Sequence, residues 1–487
     1  ELKKMKSSLD SSSLLSPDDR KRLRNDYTKA IRRAKKNYEQ KLAKKLKGGV
    51  WDVLKRKSRA PDTEWHLEFE GKSIMDHSKI ATTFRDMFFN KVTELKSSSS
   101  PRTLEKVVPK NDIQWSFESV SPDDVAKIIG RMKSSMSSGP DKIPSCLLKD
   151  LKDVVVTPIT ILVNRCIYEE HFPSCFKLGK VIPIFKNGSR KNPKNFRPIT
   201  ITSVVGKVVE IVIYEQLTQA IDHLLPPNMF GFRKNTGTDE ALVKLTDDIK
   251  DRRSRGEFVA GLVCDASSAF DLLCRDTTIA MLQRLGAKKS VTNLIRDFLE
   301  DSKQFVTIND QVSDVWSQDV GSGQGHILSP PLFNIGTISQ YFWTIKSKLY
   351  GYADDGFDLI SAPTVAECNL KIKEVMKARQ QWYALSGMAL NIQKTALIGF
   401  GFTPDNLNFE NFTIEPVTSI KFLGFIIQDD LGLEQQVKAV ANKIRTAAPR
   451  QTYDQKVQIS HRKIVRSCTW DGYRVRYVAT LPHIYRY

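Results

Sequence analysis

The sequence predicts a fold in which strands and helices alternate, with an α/β or α+β core. Residues 258 to 265 (FVAGLVCD) form a short apolar run that is typical of a buried strand. An amphipathic helix with Ile279 and Leu282 on one face follows it and ends at Gly286. Earlier in the chain, residues 180 to 206 pass from a strand-like stretch to a turn-rich one that carries several Lys and Arg residues. This stretch predicts a basic hairpin.

The N-terminal segment concentrates positive charge. The chain has 487 residues and a formal net charge of +20, and residues 1 to 60 hold 20 Lys and Arg against 7 Asp and Glu. A capping sequence at residues 16 to 19 (SPDD) predicts a helix with a thin apolar stripe between cations. Such a helix suits a phosphate backbone, although a merely solvated basic face is the alternative. The arm residues that we predict to bind nucleic acid are Arg32, Arg33, Lys35 and Lys36.

Local signals mark further boundaries. The serine run at residues 96 to 101 predicts a linker after the basic arm. A second capping sequence, residues 121 to 124, predicts a helix that stops before Gly139. Residues 431 to 487 begin with a helical pattern and continue as a basic, aromatic tail. The tail suits a nucleic-acid surface, but it is equally consistent with a diverged core.

Composition excludes several classes of protein. A hydrophobic fraction of 40% rules out a disordered tail. The 7 cysteines show neither a CxxC pair nor a Cys/His spacing for zinc, which indicates a reducing intracellular compartment. The longest apolar run, residues 154 to 163, is too short to span a bilayer, so we predict no membrane segment. Because the chain begins at Glu1, we expect it to be a piece of a longer polypeptide.

The sharpest chemical feature is a pair of adjacent acids in residues 350 to 360 (YGYADDGFDLI). Two apolar flanks meet at Asp354, Asp355 and Gly356, which predicts a hairpin tip. Adjacent carboxylates repel each other unless a divalent cation offsets their charge. Asp265 ends the other buried strand, and if the two strands are neighbours, Asp265 and Asp354 can bridge two Mg²⁺ ions roughly 3.5 to 4 Å apart. Taken alone, an acidic turn of this kind is more often a plain exposed turn.

Eight ordered blocks between about residues 110 and 430 resemble the reverse transcriptases of non-LTR (LINE-type) retrotransposons. The blocks are SSGPDKIPSCLLK at 137 to 149, VIPIFKNGSRKNPKNFRPITI at 181 to 201, MFGFRKNTGTDEAL at 229 to 242, VCDASSAFD at 263 to 271, GSGQGHILSPPLFN at 321 to 334, YADD at 352 to 355, GMALNIQKT at 387 to 395 and IKFLGF at 420 to 425.

The resemblance implies an α+β right-hand polymerase with fingers, a palm and a partial thumb, preceded by the basic helical arm. The expected domains are residues 1 to 100 (basic helical arm and linker), 101 to 260 (N-terminal extension and fingers), 261 to 430 (palm with the metal site, ending in the primer grip) and 431 to 487 (partial or diverged thumb). The implied function is an RNA-directed DNA polymerase that extends a DNA primer on an RNA template by two-metal nucleotidyl transfer. Target-primed reverse transcription is the expected setting.

The resemblance also implies cofactors and partners. The cofactor would be two Mg²⁺ ions, with Mn²⁺ as a possible substitute. The partners would be template RNA, a DNA primer or nicked target DNA, and dNTPs. An endonuclease domain is expected upstream in the full polypeptide, and the protein is expected in a nuclear or cytoplasmic ribonucleoprotein.

The resemblance implies roles for the residues that match the family's functional positions. The metal-binding carboxylates match Asp265, Asp354 and Asp355, of which Asp355 assists. Phe270 matches the bulky residue that excludes a 2′-hydroxyl, although it could be an ordinary core Phe. The backbone that approaches nucleotide and template matches Gly323, Gln324 and Gly325, with Gln324 contacting the nucleotide.

Cations and a turn complete the predicted site. Lys186 and Arg197 match the finger cations that meet the triphosphate, and Lys394 matches the block proposed to protonate pyrophosphate. Each of the three could instead be a solvated surface cation. The primer grip matches Phe422, Leu423 and Gly424. The chain departs from the family at His326, where a small hydroxyl residue is usual, and a lone His is more often structural.

The sequence is also consistent with two other functions. One is a catalytically silent polymerase fold that binds RNA, which would have no physical reason to keep costly paired acids. The other is an RNA-dependent RNA polymerase, which shares a two-metal palm and is disfavoured by Phe270.

Overall fold

A computed structural model describes residues 25–29, 65–96, 104–409 and 412–447 of the chain. Residues 25–29, from the predicted helix of the basic arm, are helical. The predicted nucleic-acid-binding residues Arg32, Arg33, Lys35 and Lys36 lie outside the described residues, and so does the tail from residue 448 onward.

Strands and helices alternate along the described chain, as the sequence predicts. The strands are β1 (Leu67–Phe69), β2 (Lys72–Ile74), β3 (Leu178–Phe185), β4 (Phe196–Ile201), β5 (Phe258–Cys264), β6 (Ala266–Ser267), β7 (Lys303–Ile308), β8 (Gln311–Val312), β9 (Trp316–Ser317), β10 (Lys348–Tyr352), β11 (Asp355–Ala362), β12 (Ala389–Leu390), β13 (Ala396–Phe400), β14 (Leu407–Phe409), β15 (Phe412–Ile414), β16 (Ser419–Phe422) and β17 (Phe425–Gln428).

The α-helices lie between these strands and cover them. They are α1 (His77–Leu95), α2 (Pro122–Arg131), α3 (Ser145–Asp150), α4 (Lys152–Glu169), α5 (Val204–Ile221), α6 (Thr238–Ser254), α7 (Ala269–Leu272), α8 (Arg275–Arg284), α9 (Lys289–Leu299), α10 (Ser329–Thr337), α11 (Val365–Ser386) and α12 (Glu434–Ala447). None of the described helices is both long enough and apolar enough to cross a membrane.

The acidic residues belong to a four-stranded antiparallel sheet with the order β10-β11-β5-β13. Strand β5 is central, and its alternate residues enter different cores. Ala260 and Leu262 join a core that includes apolar residues of α11, whereas Val259 joins one that includes residues of α6. Because both faces of β5 are covered, its sequence is apolar throughout instead of alternating with polar residues.

A second sheet has the order β4-β3-β7-β8, with β9 also paired to β7. Strand β3 is antiparallel to β4 and parallel to β7, so the predicted basic hairpin is formed by β3 and β4. Helix α1 packs against this sheet, and its buried Ile80, Phe84 and Phe88 share one core with Val181 and Val306. Residues 65–96, which the sequence predicted as part of a separate arm, therefore pack on this sheet, because their apolar side chains share its core, while β1 and β2 pair with each other.

Several predicted boundaries are confirmed by their capping chemistry. Helix α2 begins at Pro122, and the Ser121 side chain forms a capping box with Asp124. Helix α8 ends at Arg284, two residues before Gly286, which has a φ of 89°. Helix α10 begins at Ser329 with a proline in its first turn.

Candidate active site

Asp354 lies in the turn between β10 and β11. Because Tyr352 pairs with Asp355, the turn consists of Ala353 and Asp354 alone, and Ala353 has a φ of 58°. The predicted tip Asp354-Asp355-Gly356 is thus displaced, since Asp355 and Gly356 already pair within the hairpin. A non-glycine residue with positive φ is strained, and such strain persists where the surrounding structure imposes it.

The segment before α6 holds this turn in place. Gly351 in β10 exchanges hydrogen bonds with it: the Phe230 N–H donates to the Gly351 carbonyl at 2.8 Å, and the Gly351 N–H donates to the Asn228 carbonyl at 3.0 Å. A Cβ atom on Gly231 would collide with the backbone of Ala353. The Asn334 side chain donates to the Gly231 carbonyl at 2.8 Å. Position 231, in the MFGF block, therefore requires glycine, because the backbone there approaches the backbone of the acidic turn closely.

Asp265 follows β5 directly, and β5 pairs with β11, so the predicted adjacency of the two acidic strands is confirmed. The pairing of Cys264 with Gly356 brings Asp265 toward Asp355. The Lys394 ammonium donates to Asp265 Oδ2 at 2.7 Å, and the Asn391 N–H donates to the Asp265 carbonyl at 2.8 Å. The block that contains Lys394 therefore adjoins the acids, as predicted.

Electrostatic interactions indicate that the three carboxylates lie near one another. Burial raises the pKa of Asp354, and the negative charge of Asp265 raises it further. Burial, Asp354 and Asp265 together raise the pKa of Asp355 from 3.8 to about 6. Both pKa shifts mean that the fold disfavours the ionised carboxylates. Ionising Asp354 and Asp355 at neutral pH therefore costs free energy in the folded protein.

The metal prediction is only partly supported by this geometry. Among the residues that the structure describes, no three His, Cys, Asp or Glu side chains are grouped as a metal-binding set. The carboxylates nevertheless have the oxygen-donor chemistry that a hard divalent cation prefers. The Lys394 ammonium forms an ion pair with Asp265 and so neutralises part of the negative charge of the acids.

Cations from other elements surround the acids. Burial lowers the pKa of Lys186, and the positive charges of Arg197 and Lys394 lower it further, while Asp265 raises it. Lys186 and Arg197 come from the ends of β3 and β4, where Ile184 pairs with Arg197. The two predicted finger cations and Lys394 therefore act on one another across the two sheets.

Phe270 lies in an aromatic cluster beside the acids. Its ring stacks on Phe333 of α10 at 4.5 Å and meets Phe232 edge-on at 5.7 Å. The Phe270 side chain is only partly buried, whereas Phe333 is buried. Phe270 therefore contacts two aromatic rings and keeps part of its side chain accessible. This arrangement is compatible with excluding a 2′-hydroxyl and also with an ordinary core residue.

Gly323, Gln324 and Gly325 form a loop that lies against β4. The Thr200 N–H donates to the Gln324 carbonyl at 2.7 Å, and a Cβ atom on Gly325 would collide with the Thr200 carbonyl. Gly323 and Gly325 have φ values of 70° and 125°. Both glycines are therefore required by the backbone, and Gln324 is the one side chain that this tripeptide presents.

His326 is buried, which agrees with a structural role for this residue. Its Nδ1 lies 3.4 Å from a carboxylate oxygen of Glu210, a buried residue of α5. The other Glu210 oxygen accepts from the Ile327 N–H at 2.7 Å. Glu210 thereby anchors the chain just before α10 begins. It is the only acid in the apolar stretch 204–213, and that isolation is the sequence signal by which it could have been found.

The predicted primer grip is a tight hairpin between β16 and β17. Phe422 pairs with Phe425, and Leu423 and Gly424 form the turn with φ values of 50° and 82°. The Phe422 ring is 2% exposed and packs edge-on against Phe357. Leu423 is also buried, so among these three residues the accessible part is the backbone of the turn.

Four further residues at the site were not singled out in the sequence. The Gln324 side-chain amide donates to Asp271, which closes the VCDASSAFD block. The carboxylate of Asp358 pairs with Arg379 of α11. Lys91 of α1 lowers the pKa of Lys186 and of Asp271 by its positive charge. Asp271 lay inside a quoted motif, whereas Arg379 and Lys91 carry no local signal.

Comparisons with known proteins agree with this geometry. Residues 185–427 match the family described as "Reverse transcriptase (RNA-dependent DNA polymerase)". The probable RNA-directed DNA polymerase from transposon BS of Drosophila melanogaster is 23% identical over 87% of this chain and 49% of its own length. The RNA-directed DNA polymerase from mobile element jockey of the same species is 22% identical over 76% of this chain and 42% of its own length.

The chain thus spans about half the length of the curated relatives that it matches. Among solved structures, apo telomerase from Candida tropicalis is similar over 53% of this chain and 48% of that chain, with a TM-score of 0.38 and 14% sequence identity.

Proposed function

The chain belongs to the reverse transcriptases of non-LTR retrotransposons, and we propose that it is an RNA-directed DNA polymerase that extends a DNA primer on an RNA template. One observation carries the proposal most directly. The strand that ends at Asp265 pairs with the hairpin that bears Asp354 and Asp355, and Lys186, Arg197 and Lys394 act on the same carboxylates. Acids flanked by cations suit a reaction in which a triphosphate approaches a hydroxyl.

We assign the parts of a right-hand polymerase as follows. The sheet β10-β11-β5-β13 is the palm, the sheet of β4, β3, β7 and β8 with α1 forms the fingers, and the chain from residue 431 begins the thumb. In this assignment the fingers begin at Trp65, because α1 shares its core with β3 and β7.

The carboxylates would hold divalent cations, Mg²⁺ or in its place Mn²⁺. Asp265 and Asp354 would bind both ions, and Asp355 would assist. Burial and the charges of Asp354 and Asp265 raise the pKa of Asp355. A bound cation offsets this repulsion, which is the physical reason that the residues fit it. When bound, such ions lower the pKa of a primer 3′-hydroxyl and neutralise the triphosphate.

The other side chains would bind and orient the substrates. Lys186 and Arg197 would meet the triphosphate with charge-assisted hydrogen bonds, and Lys394 would give a proton to departing pyrophosphate. Lys394 must leave Asp265 for this role, so we expect cation binding at Asp265 to release it. Phe270 would exclude a 2′-hydroxyl, Gly323 and Gly325 would admit the template backbone, and the turn at Leu423 and Gly424 would support the primer end.

Primer extension on an RNA template with Mg²⁺ and dNTPs tests the proposal. Wild type should extend the primer, and Asp354→Asn should abolish extension while RNA binding is retained. Asp310→Asn is a matched control, because Asp310 is also the second residue of a two-residue hairpin turn, between Ile308 and Gln311. Extension by the Asp354 variant would overturn the assignment of the metal site.

The silent RNA-binding fold remains the second candidate, since Lys394 already neutralises Asp265 and the described carboxylates form no metal-binding set. Tight RNA binding without extension by the wild type, at saturating Mg²⁺ and dNTP, would favour it. An RNA-dependent RNA polymerase would instead extend with rNTPs in preference to dNTPs.

We also propose that the primer is the 3′-hydroxyl of nicked target DNA, with the nick made by an endonuclease domain upstream in the full polypeptide. This setting implies a nuclear or cytoplasmic ribonucleoprotein. Extension from a nicked duplex with bound template RNA, compared with an intact duplex, tests the priming step. Equal extension on the two substrates would contradict it.

A further inference from the structure

Helix α1 connects the second sheet with the residues beside the acids. Its buried apolar side chains share a core with residues of β3 and β7, and the same helix contacts α7. Helix α7 carries Phe270 and Asp271 and begins shortly after Asp265. Helix α1 therefore borders the candidate site, although it precedes the family match at residues 185–427.

Lys91 lies on the side of α1 that faces this core. It follows Phe88 by three positions, and residues three apart share one face of a helix. Phe88 is buried whereas Lys91 is exposed, so the helix extends beyond the core at this point. In the part of the chain that the structure describes, the Lys91 ammonium forms no hydrogen bond or ion pair. Lys91 is thus a cation whose charge the described fold leaves without an acidic partner.

The charge of Lys91 acts on two groups of the site. Burial lowers the pKa of Lys186, and the positive charges of Arg197, Lys394 and Lys91 lower it further. Burial raises the pKa of Asp271 from 3.8 to about 6, and the charge of Lys91 opposes this rise. Lys91 therefore lies near both the end of β3 and helix α7, together with the other three cations.

These grouped cations have few acidic partners. Among the described side chains, neither Lys186 nor Arg197 nor Lys91 forms an ion pair, whereas Lys394 pairs with Asp265. Like charges held near one another repel, and this repulsion destabilises the fold. A group of cations without acidic partners is typical of a site that binds an anionic ligand.

The position of Lys91 relative to the acids indicates which anion it meets. Burial raises the pKa of Asp354, and the cations that oppose this rise are Arg197 and Lys394. Lys91 acts on Lys186 instead, so it lies farther from the acids than those two cations do. A triphosphate whose reacting phosphate lies at the acids extends its terminal phosphates away from them and concentrates several negative charges there. A template strand carries only one charge per nucleotide.

We propose that Lys91 binds the terminal phosphates of the incoming nucleotide together with Lys186, an inference that rests on the proposed function. The ammonium is a compact point charge with several N–H donors, and phosphate oxygens accept such hydrogen bonds strongly. The substrate, the transition state and departing pyrophosphate all retain these phosphates. Loss of the contact should therefore raise KM and leave kcat unchanged.

The test compares wild type with Lys91→Gln in primer extension on an RNA template. The variant should raise the KM for dNTP about tenfold, the value of one charge-assisted hydrogen bond, with kcat little changed. The inhibition constant of inorganic pyrophosphate should rise by a similar factor, because pyrophosphate comprises the terminal phosphates. Lys91→Arg keeps the positive charge and should restore most of the affinity for dNTP.

A binding measurement tests the template as the alternative partner. The dissociation constant of the RNA template annealed to its DNA primer should be equal in wild type and Lys91→Gln. An unchanged KM for dNTP, or weaker template binding with unchanged inhibition by pyrophosphate, would overturn the proposal. Lys79→Gln is the matched control and should change none of these constants. Lys79 is an exposed lysine of the same helix, about 18 Å along its axis from Lys91.

A stability measurement separates phosphate binding from support of Asp271. The thermal midpoint of Lys91→Gln should be close to that of wild type, because an exposed side chain without a partner contributes little to stability. If Lys91 served only to offset the charge of the buried Asp271, the variant would have a lower thermal midpoint at neutral pH and an unchanged KM for dNTP. That result would overturn the proposal.

A ternary complex keeps this inference distinct from the proposed function. On an RNA template with a dideoxy-terminated primer, a stable complex with the next dNTP requires no chemistry. A wild type that forms this complex but does not extend a normal primer would refute the polymerase activity alone. A complex equally stable in wild type and Lys91→Gln would refute the role of Lys91.

Discussion

At Asp355, burial and two neighbouring carboxylates oppose ionisation together. The raised pKa means that the folded chain prefers the protonated carboxyl, whereas the unfolded chain ionises near its ordinary value of 3.8. For this group, stability is therefore highest below that value and falls as the pH rises through about 6. Carboxylates that repel one another in this way can bind a cation, but they do not stabilise the fold.

We expect Asp355→Asn to stabilise the protein at neutral pH. The gain should be roughly 1–3 kcal/mol in the free energy of unfolding, because the asparagine carries no charge to repel Asp354 and Asp265. Urea unfolding at pH 7.5 with EDTA measures it. The difference between variant and wild type should shrink toward pH 4, and an equal difference at both pH values would contradict an electrostatic origin.

Phe270 provides a second prediction at the scale of the residue. Phe270→Val should raise the use of rNTP relative to dNTP by about tenfold or more, because the smaller side chain leaves room for a 2′-hydroxyl. Single-nucleotide incorporation kinetics with both substrates measure the ratio. Phe409→Val, in the separate β14-β15 hairpin, is the control and should not change it. A ratio equal to wild type in Phe270→Val would make Phe270 an ordinary core residue.

Among the elements, β11 and α11 are joined by a buried ion pair behind the acidic hairpin. Arg379 donates to both oxygens of Asp358, at 2.6 and 2.7 Å, and to the Gln340 carbonyl at 2.8 Å. The side chains of Asp358 and Arg379 are 0% and 3% exposed. Since Asp358 lies three residues after Asp355, this pair connects the register of the acidic hairpin to the helix that covers the sheet.

We expect Arg379→Met to lower the free energy of unfolding by about 3–5 kcal/mol, because it leaves the buried Asp358 carboxylate without a cation, with only the Ser347 hydroxyl still donating to it. The double variant Asp358→Leu/Arg379→Met should lose much less, because it leaves no buried charge. Urea unfolding measures all three proteins. Glu374→Gln, on the same helix as Arg379, breaks an exposed pair with Lys346 and should cost less than about 1 kcal/mol. A double variant as unstable as the single one would contradict this account.

For the whole molecule, charge is distributed unevenly along the sequence. Residues 1 to 60 carry a net charge of +13, so the remaining residues account for only +7 of the total of +20. Phosphate backbones release counterions when cations bind them, which makes such binding steeply dependent on salt. The basic arm should therefore dominate nucleic-acid affinity, while the groups that we propose to react are carried by the two sheets.

Deletion of residues 1 to 60 tests this division. The logarithm of the RNA-binding constant should fall steeply with the logarithm of salt concentration in the full chain and less steeply in the deletion variant. Fluorescence anisotropy at 50 to 300 mM KCl, roughly the range where such slopes are measured, gives both values. An Asp354→Asn full chain is the control and should keep the full slope. Equal slopes with and without the arm would refute its role in binding phosphates.

Local sequence patterns determined the strands that carry the candidate site, several helix boundaries and the positions of the acidic residues. The apolar run of β5, the capping sequence before α2 and the proline at the start of α10 act on neighbouring residues, so they can be recognised without a fold. The ordered blocks likewise led to the family and to Asp265 and Asp354. Even the displaced turn at Ala353 is an error of one position in a correctly predicted hairpin.

The partners of the side chains were decided by tertiary structure alone. Lys394 and Asp265 are 129 positions apart, Gln324 and Asp271 are 53 apart, and Arg379 and Asp358 are 21 apart. The burial of Phe422 and the packing of α1 on the second sheet depend equally on which surfaces meet. Periodicity and capping report on contacts within a few residues, whereas these contacts form only when separate elements pack. The burial of Asp355 and its proximity to Asp265, which both raise its pKa, arise in the same way.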